Sequence, residues 1–432
     1  MSTAPTASAT GMPEPLSMRE VLAVPTMRRL WYAQIVSNFG DFLALFAVIS
    51  VLTFKLHATP EQVTGVQISY LLPIAVLGVL AGVFVDRWPL KPTLVSSDMI
   101  RAGLVLLLMV AHSAMSFYLV LAAISVVSSF FSPAQGVAIR SAVPLHGLRS
   151  ANSLMQQVMF GMRIVGPPTA AFLVASFGEK VCFWVDAISF VASGSLIASL
   201  ALSRPSVEKK AEALIGKDTP QTGSKTGLAS IWPDMKQGIG FIVHHAALLF
   251  VILALASGMF VLGCFGPLIA VYVRDTLHAS TKVFGVASAM IGVGMFAGVN
   301  VLNTFGKKLK NTTLVYAGLG GIAVGLVVLT SVPFVWATIL GDLMIGFAVA
   351  GIVIPSNVMI QQETPAELMG RVGSTVMSLV FTAQIAGLVL SGQLAERIGV
   401  RHVFAVCAGM LVVLVVVGKM WMEPKDEGHA KQ

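Results

Sequence analysis

Ionisable side chains are scarce in this sequence. Those inside its long apolar runs stand almost alone: Asp41, Arg163, Asp186 and Asp342, with Asp98 and Arg101 three residues apart. An ionisable group near the centre of a bilayer costs about 2.5–3.5 kcal/mol even on permissive scales, so each needs a partner or a task. A carboxylate can take up and release a proton, and its hold on that proton depends on whether a cation lies beside it. All 8 histidines fall in loops, tails or the ends of apolar runs, and no glutamate occupies the middle of one. Proton chemistry within the runs is thereby left to Asp41, Asp186 and Asp342.

Other chemistries find no footing. Cys182, Cys264 and Cys407 each sit alone in an apolar stretch, which excludes a disulfide framework and a CxxC metal or redox site. There is no HExxH and no GxxxxGK[ST], so neither a zinc hydrolase nor a nucleotide-driven pump is expected. No cofactor, no metal and no enzymatic activity are expected, and any energy source would be a proton gradient.

The elements that must hold these residues follow from composition. The chain is 56% hydrophobic and 11% charged, with a mean hydropathy of +0.84. A soluble domain devotes about a quarter of its residues to charge. Crossing the hydrocarbon takes a helix of about 20 apolar residues, because an open sheet would strand its backbone polar groups in lipid. Twelve such runs are separated by turn formers or charges, as at 86–92 and 306–311. The net charge of +8 is spread over short loops, which argues against nucleic acid as a partner and reads as a topology signal. With both termini placed in the cytoplasm, that side collects 20 of the 28 Lys and Arg and the outside loops keep 6.

The organisation expected is a cytoplasmic tail (1–28), a six-helix bundle (29–203), a cytoplasmic linker ending in an interfacial helix (204–240), a second six-helix bundle (241–421) and a cytoplasmic tail (422–432). The first 20 residues, rich in Ser, Thr, Ala and Pro, read as disordered. The halves resemble each other when laid over one another in a single register: Pro144 falls on Pro365, Gly166 on Gly387 and Gly178 on Gly399. Two parallel repeats would place a substrate cavity between them.

At 82–91 the sequence reads Gly-Val-Phe-Val-Asp-Arg-Trp-Pro-Leu-Lys, which resembles the cytoplasmic loop signature of the major facilitator superfamily. The stretches SNFGDF (37–42), FFSPAQ (130–135), RSANSL (149–154), PAELMGRV (365–372) and LAERIGVR (394–401) are similar to its drug and siderophore exporter branch. Pro89 and Leu90 replace the usual Gly and basic residue of the loop. Gly166-Pro167-Pro168-Thr169-Ala170-Ala171 keeps the Gly-Pro of the antiporter glycine series and ends it in alanine.

The resemblance implies an all-α integral membrane fold of twelve transmembrane helices in two six-helix bundles. It further implies a monomeric, proton-coupled exporter of a small molecule, working by alternating access in a bacterial inner membrane. Gly82, Asp86, Arg87 and Lys91 would hold the cytoplasmic gate, and Gly166 and Pro167 would serve helix packing and bending. Asp98 and Arg101, near the same end, would pair within their helix in support of that gate. Asp41 and Arg163 lie at matching depth, about 16–18 Å in at 1.5 Å per residue. First and fifth helices are neighbours in the resembling fold, so the two are expected to pair at the cavity, either coupling a proton to opening or merely fixing helix packing. Asp186, toward the outside of the sixth span, and Asp342, about mid-depth in the tenth, are alternative proton sites. Asn38 and Gln384 are the expected substrate contacts. The same carboxylates would serve an uptake symporter, and a non-transporting sensor could share the fold.

Overall fold

The computed structural model describes residues 16–85, 87–201, 240, 242–243, 245–306, 309–365 and 368–421. Asp86 and the expected linker up to residue 239 lie outside the described residues. The fold is all-α, with no strand among the described residues. Among those residues a short helix, α1 (Met18–Ala23), precedes twelve long ones: α2 (Pro25–Ser50, extended by a π turn to Lys55), α3 (Pro60–Val85), α4 (Leu90–Leu107), α5 (Ala114–Ala142), α6 (Leu148–Phe177), α7 (Lys180–Ala198), α8 (Ala246–Asp275), α9 (Thr281–Phe305), α10 (Asn311–Ser331), α11 (Val335–Glu363), α12 (Met369–Ile398) and α13 (Val400–Trp421). Eleven of the twelve meet the length and hydropathy needed to cross a membrane. The twelfth, α3, is 26 residues long.

Local sequence explains where the helices begin and end. Proline at the first helical position, where an amide hydrogen would be unused anyway, starts α2 and α3. Ser113 and Ser116 form a reciprocal cap on α5. Gly178 and Gly399 follow α6 and α12 at φ of +82° and +83°, a backbone setting that a side chain would strain.

The register that aligns the two halves holds at the level of whole helices. The span 114–142 of α5 maps onto 335–363 of α11, and 148–177 of α6 onto 369–398 of α12. α2–α7 and α8–α13 are therefore two copies of one six-helix unit.

One expectation is corrected at the start of the chain. Residues 16–23 are not a loose tail. Ser17 and Glu20 cap α1 with a reciprocal box, and Val21 packs against Met27, Ile139, Val143, Ala151 and Leu154. Ser150 Oγ donates to the Leu16 carbonyl at 2.5 Å. The apolar positions of this short segment bind it to the loop between α5 and α6.

The halves meet through α6 against α9 and α3 against α12. At the face distal to the chain ends they are locked together. Arg274 Nη1 donates to the carbonyls of Thr53 (2.8 Å) and Ala58 (2.9 Å). Phe46 stacks on Phe284 with 4.6 Å between centroids, and Gly285 lies against Ala171 and Pro167. Toward the face bearing the chain ends the same helices part. A methyl group added at Gly82 of α3 or Gly373 of α12 would meet nothing within 4 Å. Among the described residues, the hydrogen bonds and stacked rings that join the halves lie at the distal face.

Candidate functional site

The chemistry gathers inside the N-terminal half. Asp98 of α4 is fully buried; one carboxylate oxygen receives Arg101 Nη2 and the other accepts from Ser193 Oγ of α7 at 2.8 Å. Arg101 is held between two rings, its guanidinium carbon 4.3 Å from the Phe131 centroid and 4.4 Å from that of Phe190. Aromatic faces stabilise a cation electrostatically, most strongly where water is excluded. Arg101 Nε has no hydrogen-bond partner among the described residues.

Two further carboxylates share this environment. Gly40 of α2 lets the helix settle on the Asp186 backbone of α7, which brings Asp186 to the residue beside Asp41. Ser189 Oγ donates to the Asp186 carbonyl at 2.8 Å and lies 3.3 Å from its Oδ1. The charges acting on Asp41 are those of Arg101 and Asp98, while Asp186 feels Asp41 and Arg101. Tyr70 of α3 lies in the field of all but Asp98. Its segment is tied to α5 by Ser125 Oγ, which donates to the Tyr70 carbonyl. Asp98 pairs with the guanidinium, and Asp41 and Asp186 lie within its electrostatic reach.

The expected Asp41–Arg163 pair does not form, which corrects the sequence reading. Arg163 is exposed and has no ion pair or hydrogen bond among the described residues. Matching depth was not enough. α6 touches α2 through Gly166, which rests on Phe42, and Arg163 stands three residues earlier, about 60° round the helix from that contact.

Asp98 and Arg101 pair within their helix, but the pair faces Ser193, Phe131 and Phe190 rather than the loop. Gly82 borders open space, Arg87 is exposed, Lys91 is half-buried, and neither cation has an ion pair among the described residues. Among the described residues, the charges of this loop form no ion pair.

Asp342 sits seven residues into α11 from its distal end, shallower than the mid-depth expected. It is fully buried, and neither carboxylate oxygen has a hydrogen-bond partner among the described residues. Asn38 Nδ2 is likewise buried without a partner. Gln384 is half-buried on α12, its carbonyl against Gly263 of α8. Gly166 and Pro167 are buried where α6 meets α2 and α9. A recess of about 400 Å³ between α9, α10 and α11 carries no ionisable side chain and shares no residue with the carboxylate cluster.

Sequence reasoning missed Gly40, Tyr70, Ser193, Phe131 and Phe190. Two signals were present: a glycine beside Asp41, which marks close helix approach, and Ser189 and Ser193 at three and seven positions from Asp186, on one helical face. The repeat carries a third. In the register that lays Gly166 on Gly387, Asp41, Asp98, Arg101 and Asp186 become Leu262, Leu319, Ile322 and Cys407. The polar cluster belongs to one half alone.

The family model of the Major Facilitator Superfamily matches residues 30–384, most of the chain. The chain belongs to that superfamily. This major facilitator superfamily transporter is 27% identical over 404 residues to the uncharacterized MFS-type transporter YfiS of Bacillus subtilis, covering 91% of this chain and 93% of that one. It is 23% identical over 401 residues to macrolide efflux protein A of Streptococcus pyogenes, covering 90% and 94%. Among solved structures it is similar to a bacterial homologue of the iron transporter ferroportin in an inward-facing state, with a TM-score of 0.67 at 16% identity over 92% of this chain and 99% of that one. That likeness concerns the fold alone. The chain is a multi-pass membrane transporter.

Proposed function

We propose that this transporter exports small amphipathic molecules, of the drug, macrolide or siderophore class, against a flow of protons across a bacterial inner membrane, with both chain ends in the cytoplasm. The observation that carries the reading is the grouping of Asp41, Asp98 and Asp186 near the single Arg101, with Asp98 paired to it and Asp186 packed at Gly40 beside Asp41. Fully ionised, the cluster would hold two uncompensated negative charges in a medium that screens them poorly. Carrying protons removes that cost. Asp41, on α2, is the one member of the three that is not fully buried, so its proton can change as the space between the halves opens to one face or the other.

Three things support the direction. The terminal face, rich in Lys and Arg, fits the cytoplasm. A cavity open there would admit cargo from inside the cell. Macrolide efflux protein A is similar along nearly its whole length. The test is flux of a panel of drugs and siderophores in oriented proteoliposomes under an imposed pH gradient. Cargo moving opposite to protons supports export. Cargo moving with protons makes the protein an uptake symporter, and ligand binding without any flux makes it a sensor.

A further inference from the structure

Arg163 is left out of the carboxylate cluster, yet it lies at the middle of a membrane-spanning helix, halfway between Leu148 and Phe177. The contacts of α6 fix where it points. Gly166 rests on Phe42 of α2, and the Arg163 carbonyl and Ile164 lie against Gly292 of α9. Between those two contacts runs a stripe of exposed polar side chains, Asn152, Gln156 and Arg163. The opposite side of α6 exposes Val165 and Phe172, as a lipid-facing surface would. Arg163 therefore faces the space between the halves.

A guanidinium stays charged at any physiological pH and offers a planar fork that fits a carboxylate, sulfonate or phosphate with two parallel hydrogen bonds. At mid-membrane depth such a charge is costly without a counter-ion. The carboxylate at the same depth, Asp41, makes no ion pair with Arg163 among the described residues. In the second half the position equivalent to Arg163, in the register of the repeat, is Gln384, a neutral amide. Among the described residues, the space between the halves thus has one cation at mid-depth, a neutral polar group in the symmetric place, and the ring of Phe42 nearby. We propose that Arg163 binds an acidic group on the cargo, so that the transported class is amphipathic acids. This rests on the reading of the cavity as the transport site.

The test uses the full-length protein in phosphatidylcholine nanodiscs and two fluorescent probes, 11-(dansylamino)undecanoic acid and its methyl ester, followed by dansyl fluorescence. The native protein is expected to bind the acid about tenfold more tightly than the ester, the worth of one charge-assisted contact. Arg163→Gln should abolish that preference while ester binding stays unchanged, which also shows that the variant is folded. Arg163→Lys should restore part of it. Equal binding of acid and ester by the native protein, or an undiminished preference in Arg163→Gln, would overturn the proposal. Loss of the preference when a third of the lipid is phosphatidylglycerol would give Arg163 to a lipid headgroup and overturn it equally. Binding needs no proton gradient, so the two readings fail separately. A charge preference without gradient-driven flux sinks the exporter reading alone, whereas gradient-driven flux indifferent to Arg163→Gln sinks this one alone.

Discussion

Gly40 of α2 lies so close to Asp186 of α7 that a β-carbon on it would stand 2.8 Å from the Asp186 Cα. The backbone cannot yield there as a flexible side chain would. Overpacking of this kind costs about 1–3 kcal/mol and moves the neighbouring helix. Gly40→Ala is expected to lower the melting temperature in detergent and to reduce gradient-driven flux, because the displaced α7 carries Asp186, Ser189 and Ser193 with it. Thermal unfolding and flux on the same preparation check this.

Gly161 gives the converse case. A methyl group there meets nothing in the present state, and alanine favours a helix over glycine by about 0.5–1 kcal/mol. Gly161→Ala is expected to leave thermal stability intact or slightly raised. Transport should be unchanged, because Gly161 lies on the side of α6 that exposes Val165 and Phe172, away from the other half.

The distal seal has a latch in Arg274, whose two bonds to the Thr53 and Ala58 carbonyls cross between the halves. A hydrogen bond from a charged group is worth about 1.5–3 kcal/mol. Arg274→Gln is expected to raise distal-face labelling of Ser50→Cys by an impermeant maleimide about tenfold or more, with the native cysteines replaced by alanine. Ser50 is buried beside Thr281 and becomes reachable only when the seal opens.

At the same face, Lys55 Nζ sits 2.6 Å from Glu179 Oε2 and ties the end of α2 to the turn before α7. Burial alone would raise the Glu179 carboxyl, but hydrogen bonds from Lys55 and its charge outweigh burial and hold the group below its ordinary value of 4.5. A depressed value in the folded state means that the unfolded chain binds more protons. The pair therefore stabilises fully above about pH 4.5, and the contribution is lost as pH falls through the lowered value. Glu179→Gln should melt below the native protein at neutral pH, and the gap should close in acid.

The twelve spans and their pairing into two halves were legible because apolar runs must be helical in lipid, and because Pro144, Gly166 and Gly178 recur in register as Pro365, Gly387 and Gly399. The partner of Asp41 was not legible. Counting residues gives the height of a side chain in the membrane but not its azimuth, and azimuth depends on which residue of each helix makes the closest contact. Gly40 and Gly166 set those contacts, and they turn Asp41 and Arg163 to different neighbours. Asp342 illustrates the same limit, since only packing shows that both its oxygens lack a donor.

That orphaned carboxylate yields a further expectation. Replacing a buried polar group that has no partner by an apolar one of similar shape is close to neutral or stabilising. Asp342→Leu should match or exceed the native melting temperature, and flux should persist if proton coupling resides in the N-terminal cluster.

The proposed coupling of protons to transport rests on Asp41 within its carboxylate cluster. It is tested most directly by comparing pH-gradient-driven flux of one identified cargo in oriented proteoliposomes for native protein, Asp41→Asn and Asp342→Asn. Asp41→Asn is expected to lose gradient-driven flux while still exchanging cargo down its own gradient, and Asp342→Asn to transport as the native protein does. Undiminished gradient-driven flux in Asp41→Asn, with loss in Asp342→Asn, would contradict it and move the proton site to the C-terminal half.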